Sequence, residues 1–185
     1  MIPQQHAGRT VLAFFWADNS LNSNLRNNIR TMMQGLQAMK DSAALLVYWD
    51  GEASDISWPE PCIVEYVTNG QGGINSMSKE AVNAMIADQD MSVHDLISIG
   101  NIRKKYPPQT STEKTVMQTV IGDMMSVYPS ESYGIIFGSH GSGWLPTITG
   151  TRSIGQDGGR YSSDTALIPE LAEVLRTVNP QKFDF

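Results

Sequence analysis

The sequence predicts an α/β protein with a three-layer α/β/α arrangement around a largely parallel central sheet. Strand-like and helix-like segments alternate along the chain, which is typical of a parallel sheet covered by helices. The apolar run Tyr133–Phe137 ends abruptly in Gly-Ser-His140-Gly, and an apolar run bounded by glycine is typical of a buried strand. A length of 185 residues suits one domain with a substantial core.

The predicted elements follow from local patterns of apolar residues. The strands are Thr10–Ala17, Ala43–Trp49, Cys62–Thr68 and Tyr133–Gly138, with Lys182–Phe185 as the start of another. The helices with one apolar face are Asn22–Lys40, a helix containing Val116–Met124, and one over Ile168–Val178 with Ser163 or Asp164 as its N-cap. Shorter helices are expected over Lys79–Ala87 and through Leu96–Arg103, and a long loop over Gly141–Ser163.

Composition excludes several classes of function. The net charge is −6 with no basic cluster, which argues against a nucleic-acid partner because nothing would neutralise phosphates. The acidic excess is compatible with cationic substrates. A single cysteine excludes an internal disulfide framework, and no apolar stretch approaches the roughly 18 residues that span a membrane. The first residues contain no apolar core of a signal peptide.

His140 is the residue that most directly suggests chemistry. A strand over Tyr133–Gly138 would deliver it to the C-terminal edge of a parallel sheet, where open α/β sheets place their active sites. Histidine titrates near neutral pH and exchanges protons with substrates, and the N–H of Gly141 can face a developing oxyanion. The alternative, a strand-end histidine hydrogen-bonded into a tight turn, is left open by the local sequence.

The segment Ser139-His-Gly-Ser-Gly-Trp144, preceded by Tyr128-Pro and Tyr133-Gly, resembles the catalytic-histidine segment of the clostripain family of cysteine peptidases. That family belongs to the caspase, gingipain and legumain group. The likeness extends over most of the chain, through VLAFFWADNSL, LLVYWDG, Ile154-Gly-Gln-Asp-Gly-Gly, Ile168-Pro-Glu-Leu-Ala-Glu-Val-Leu and Phe183-Asp-Phe. It implies a caspase-like fold.

The resemblance implies an endopeptidase that cleaves after Arg or Lys through a Cys-His dyad. His140 would be the general base or the ion-pair partner of the thiolate, and Gly141 would contribute to the oxyanion hole. In the family the nucleophilic cysteine follows an Asp-Ala pair at the end of the next strand. We therefore expect residues 1–185 to be the N-terminal part of one peptidase domain and to be inactive by themselves. The nucleophile would lie on the C-terminal segment of the same domain or on a separate chain. Cys62 opens a predicted strand and is interpreted as a buried apolar residue.

Polar residues at the ends of the first two strands are candidates for substrate binding. Asp18 and Asn19 follow the first strand, and the resemblance implies that they line a pocket for the basic side chain before the scissile bond. The alternative is a turn and helix cap. Asp50 ends the second strand with the same two interpretations. Arg152 and Arg160 are candidate sites of self-processing, with ordinary solvated arginines as the alternative.

No cofactor is expected to be required. Calcium activates some relatives, and Asp157 lies between glycines in the sequence. One carboxylate is too few for a calcium site. The three histidines do not form a zinc pattern. The resemblance favours an exported protein at the cell surface, in the periplasm or outside the cell, with a cytoplasmic one as the alternative. The rival function is a catalytically inactive, caspase-like binding module on a cell surface.

Overall fold

The computed structural model of the chain describes residues 7–51, 60–87, 92–140, 153–157, 164–178 and 183. In chain order the elements are β1 (Ala7–Ala17), α1 (Asn22–Ala38), β2 (Ala43–Gly51), β3 (Cys62–Val67), α2 (Lys79–Ile86), α3 (Val93–Ile99), β4 (Asn101–Lys105), α4 (Lys114–Val127), β5 (Ser130–Gly138), β6 (Ser153–Asp157), β7 (Asp164–Leu167) and α5 (Ile168–Val178). No helix in these ranges is long and apolar enough to cross a membrane.

Five strands form the central sheet in the order β4-β3-β2-β1-β5. β1 pairs in parallel with β2 on one side and with β5 on the other. β3 is antiparallel to both β2 and β4. All strands of this sheet except β3 therefore point the same way, which confirms the prediction of a mostly parallel sheet. β6 and β7 form a separate antiparallel hairpin.

The central strand β1 divides the core into two layers because its side chains alternate between the faces of the sheet. Leu12, Phe14 and Trp16 point to the face covered by α4 and α5, and Ala13 and Phe15 point to the face covered by α1, α2 and α3. All five are at most 1% exposed. Burial on both faces explains why β1 is continuously apolar from Val11 to Ala17, and it confirms the predicted three-layer arrangement.

The predicted helix through Leu96–Arg103 is wrong beyond Ile99. The helix ends there, and Asn101–Lys105 forms the edge strand β4. A Cβ added to Gly100 would lie 2.3 Å from Cγ1 of Val64, so the backbone passes too close to β3 for any larger residue. Every residue of β4 is exposed, so the strand has no apolar alternation by which the sequence would reveal it.

The long loop predicted over Gly141–Ser163 is also partly wrong. It contains β6, which pairs with β7 so that Asp157 lies opposite Asp164. This pairing makes Asp164 a strand residue, and α5 begins at Ile168, so Asp164 is not the N-cap of that helix. Ser163, the other candidate for the cap, lies outside the described residues.

The outer edge of β5 marks where a further strand begins. Phe183 forms a parallel bridge with Tyr133 and is 9% exposed. Within the described residues this is the only pairing on that side of β5, and Ile136 on the same strand is 41% exposed. The predicted strand start at Lys182–Phe185 therefore has a pairing partner at Phe183, while its other residues lie outside the description.

Candidate active site

The ends of three parallel strands meet at one edge of the sheet. In the register of β1, Trp16 lies opposite Asp50 on β2, and Phe15 lies opposite Gly138 on β5. The residues that follow these positions therefore emerge at the same edge, where parallel sheets carry their functional groups. The structure places His140 there, two residues beyond the end of β5, as the sequence predicted.

His140 is partly exposed, and its imidazole is held from one side. Its Nε2 lies 2.9 Å from Oγ of Ser20, which belongs to the turn after β1. Nδ1 makes no hydrogen bond with any described residue. The imidazole is thus fixed at one nitrogen and has the other available for chemistry. Gly141, the predicted oxyanion-hole residue, lies outside the described residues.

The side chain of Asn19 joins the turn after β1 to the end of β5. Its Nδ2 donates to the carbonyl of Trp16 at 2.6 Å and to Oγ of Ser139 at 3.3 Å. Its Oδ1 accepts from the N–H of Leu21 at 2.9 Å. These contacts are those of a turn-forming side chain, the alternative that the sequence left open. A role of Asn19 in substrate binding stays a prediction.

Two carboxylates are buried at the same edge. Asp18 follows β1 and is 5% exposed, and Asp50 near the end of β2 is 7% exposed. Oδ2 of Asp50 accepts a hydrogen bond from Oγ of Ser111. Buried carboxylates at a sheet edge are the groups that a cationic side chain would meet there. The structure brings Asp18 to the edge that carries His140, and its role in binding stays a prediction.

A chain of hydrogen bonds fixes the segment before α4 against this edge. The hydroxyl hydrogen of Ser111 goes to Asp50, so Ser111 accepts from the hydroxyl of Tyr48 at 2.6 Å, and Tyr48 accepts from Nε2 of Gln109 at 3.0 Å. Nε1 of Trp16 donates to the carbonyl of Ser111 at 2.9 Å. Local sequence patterns do not indicate Ser111 or Ser20, because the contacts of Ser111 with Asp50 and of Ser20 with His140 link residues far apart in the chain.

The remaining candidates are two arginines and one carboxylate. Arg152 and Arg160 lie outside the described residues, so self-processing stays a prediction. Asp157 is the last residue of β6. Among the residues that the structure describes, no three histidine, cysteine or acidic side chains are grouped so as to hold a metal ion. Calcium activation stays a prediction.

Cys62 is too far from His140 to act as its partner. Cys62 lies opposite Trp49 at the start of β3, and three strand-to-strand steps separate β3 from β5. At about 4.8 Å per step this is about 14 Å. The thiol is also buried, with the residue 1% exposed. This placement agrees with the interpretation of Cys62 as a buried apolar residue.

Gly138 permits close packing of the end of β5 against side chains of β1 and α1. A Cβ at Gly138 would lie 2.6 Å from Cδ1 of Phe15 and 2.7 Å from Cδ2 of Leu25. We expect Gly138→Ala to lower the free energy of unfolding by about 1–3 kcal/mol through overpacking. Thermal or denaturant unfolding measures the change. Gly134→Ala is the matched control, because its Cβ would meet only Val11 Cγ2 at 4.0 Å; an equal loss in both variants would contradict the explanation.

Comparison with known proteins assigns a family to this arrangement. The model of the clostripain family matches residues 13–185. A secreted C11 cysteine protease from Bacteroides thetaiotaomicron, solved with an irreversible peptide inhibitor, is 26% identical with a TM-score of 0.65. That match covers 96% of the present chain and 42% of the other. A B. fragilis cysteine protease is 27% identical with a TM-score of 0.53, over 76% of this chain and 94% of that one.

A more distant structure shows the same fold. The secreted C11 cysteine protease iotapain from Bacteroides thetaiotaomicron is 16% identical, with a TM-score of 0.60 over 94% of this chain and 43% of that one. The present chain thus spans less than half the length of both secreted proteases. No curated protein matches the chain significantly.

Proposed function

Because the chain belongs to the clostripain family of cysteine peptidases, we propose that it supplies the histidine of a cysteine endopeptidase that cleaves after Arg or Lys. The observation that supports this most is the position of His140. It lies at the sheet edge where β1, β2 and β5 end, and its Nδ1 has no hydrogen-bond partner among the described residues. A partly exposed imidazole with one nitrogen available suits proton transfer to and from a substrate.

In this proposal His140 pairs with a cysteine thiolate. The sulfur attacks the scissile carbonyl carbon, and the C–N bond then breaks as the imidazolium gives its proton to the leaving amine. Water then attacks the acyl-enzyme while His140 takes the water's proton, and the thiolate is released. The N–H of Gly141 is proposed to stabilise the oxyanion in both halves of the reaction.

The bridge between Tyr133 and Phe183 indicates where the nucleophile would lie. His140 follows Tyr133 by seven residues. In a parallel strand that continues this register, the residue level with His140 would follow Phe183 by about seven residues as well. We propose that the nucleophilic cysteine lies near that point, on the polypeptide that continues from this chain or on a separate chain. In this proposal the segment that carries the cysteine is the essential partner of residues 1–185.

The proposed preference for Arg or Lys is supported by charge. Asp18 and Asp50 place two buried carboxylates at the ends of β1 and β2, beside the strand end that carries His140. A guanidinium or ammonium group that enters this edge gains charge-assisted hydrogen bonds, whereas an acidic side chain is repelled. The protein's net charge of −6 acts in the same direction on the approach of basic substrates.

We further propose that the protein is exported and acts on peptides or proteins outside the cytoplasm, with Arg152 or Arg160 as the site of self-processing. The related C11 cysteine protease from Bacteroides thetaiotaomicron is secreted, which supports export. The alternative function is a catalytically inactive binding module with the same fold. It predicts no turnover of any peptide by the full-length protein.

The test is turnover of fluorogenic peptides by the full-length protein. Substrates that differ only in Arg, Lys, Asp or Ala before the scissile bond are compared, with and without prior treatment by iodoacetamide. We expect cleavage after Arg and Lys that alkylation abolishes. Cleavage preferentially after Asp would overturn the proposed specificity, and an absence of all cleavage in the processed, full-length protein would favour the binding module.

A further inference from the structure

The hydrogen bond between Ser20 and His140 joins residues separated by 120 positions in the chain. Oγ of Ser20 lies 2.9 Å from Nε2 of His140, a good distance for this pair of atoms. Within the described residues it is the only hydrogen bond made by the imidazole ring. The orientation of that ring therefore depends on this serine.

Ser20 is itself held in place by the turn in which it lies. The neighbouring Asn19 donates to Trp16 and to Ser139 and accepts from Leu21. The side chain of Asn22 donates to the carbonyl of Ala17 at 3.1 Å, which fixes the other side of the turn to the end of β1. The contact from Asn19 to Ser139 reaches the residue directly before His140. The turn thus contacts both the side chain of Ser139 and the ring of His140.

We propose that Ser20 is a positioning residue whose oxygen accepts the N–H of Nε2, which leaves Nδ1 of His140 as the nitrogen that exchanges protons in catalysis. This assignment rests on the proposed function of His140. A hydroxyl can donate or accept, and the two directions differ in their consequences. If Ser20 donated to Nε2, the neutral ring would carry its hydrogen on Nδ1, and protonation of Nε2 would break the bond. If Ser20 accepts, Nε2 keeps its hydrogen in both the neutral and the charged ring, so the bond persists while Nδ1 gains and loses its proton.

The kinetic test uses the full-length protein and the fluorogenic Arg peptide. Ser20→Ala is expected to lower kcat about threefold to tenfold, the effect of one hydrogen bond that positions a reacting group, with KM changed less than about twofold. Ser20→Thr keeps the hydroxyl and is expected to restore most of kcat. Ser126→Ala is the matched control, because Ser126 lies near the end of α4 and, among the described residues, its hydroxyl bonds only the carbonyl of Gly122 in its own helix. Equal kcat in wild type and Ser20→Ala, or no rescue by Ser20→Thr, would overturn the proposal.

The tautomer of His140 is determined by a measurement that does not depend on turnover. Long-range ¹⁵N–¹H correlation NMR of the labelled full-length protein distinguishes protonated from unprotonated ring nitrogens, with His140→Gln to assign the signal. We expect the neutral ring of His140 to carry its hydrogen on Nε2, and Ser20→Ala to give a mixture of tautomers. A neutral ring protonated mainly at Nδ1 would overturn the role of Ser20 while leaving the proposed function intact. Retained turnover in His140→Gln would instead remove the proposed function.

Discussion

Replacement of His140 by alanine in the full-length protein is expected to lower kcat/KM for an Arg peptide by about two to four orders of magnitude. Without the imidazole, the thiol loses the partner that keeps it ionised near neutral pH, and the leaving amine loses its proton donor. The fold is expected to persist, because His140 is partly exposed and its ring bonds only Ser20 among the described residues. Its removal therefore creates little cavity.

The measurement compares wild type with His140→Ala on the fluorogenic Arg peptide, with thermal melts recorded in parallel. His94→Ala is the matched control, since His94 is exposed on α3, and the strand that follows this helix, β4, begins at the edge of the sheet opposite to the strand ends that form the site. We expect its turnover to equal that of wild type, and both variants to melt within a few degrees of it. Unchanged turnover in His140→Ala would remove His140 from the mechanism.

The second large effect is expected at Asp18. Asp18→Asn keeps the shape of the side chain and removes its charge, so a bound Arg or Lys side chain would lose a charge-assisted hydrogen bond. Such bonds contribute about 1.5–3 kcal/mol, which corresponds to a fall in kcat/KM of about 10-fold to 150-fold for basic substrates. An otherwise identical peptide with Ala before the scissile bond is expected to lose much less.

The ratio of kcat/KM for the Arg peptide to kcat/KM for the Ala peptide separates an effect on specificity from an effect on stability. Asp41→Asn is the matched control, because Asp41 is exposed just before the N-terminal end of β2 and therefore belongs to the opposite edge of the sheet. Asp50→Asn shows whether the second buried carboxylate shares the role. An unchanged Arg-to-Ala ratio in Asp18→Asn would show that Asp18 only terminates the strand, which is the interpretation that its position in a turn also allows.

Much of the sheet could be predicted because its strands are buried on both faces. Val11–Ala17 in β1 and Ala43–Trp49 in β2 are continuous apolar runs. The helical spacing of apolar residues predicted α1, and the helix begins at Asn22 as predicted. β4 was missed because all of its residues are exposed, so its strand character comes only from pairing with β3. β6 and β7 were missed for a similar reason, since their pairing is not visible in a segment rich in Gly, Ser and Thr.

The candidate site was predictable only where it depends on a single strand end. The glycine-bounded run of β5 located His140 correctly, because a strand end can be recognised locally. The contacts of His140 with Ser20, and of Asp50 with Ser111, link segments that are 120 and 61 residues apart. They depend on the strand order β2-β1-β5, which local patterns do not specify.

The central claim is that His140 serves a cysteine other than Cys62, and covalent labelling tests it most directly. The full-length protein is treated with a thiol-reactive peptide inhibitor that has Arg at its specificity position, and the modified residue is located by mass spectrometry. We expect one labelled cysteine about seven residues after Phe183, none at Cys62, and strongly slowed labelling in His140→Ala. Labelling of Cys62, or equal labelling rates in wild type and His140→Ala, would contradict this account.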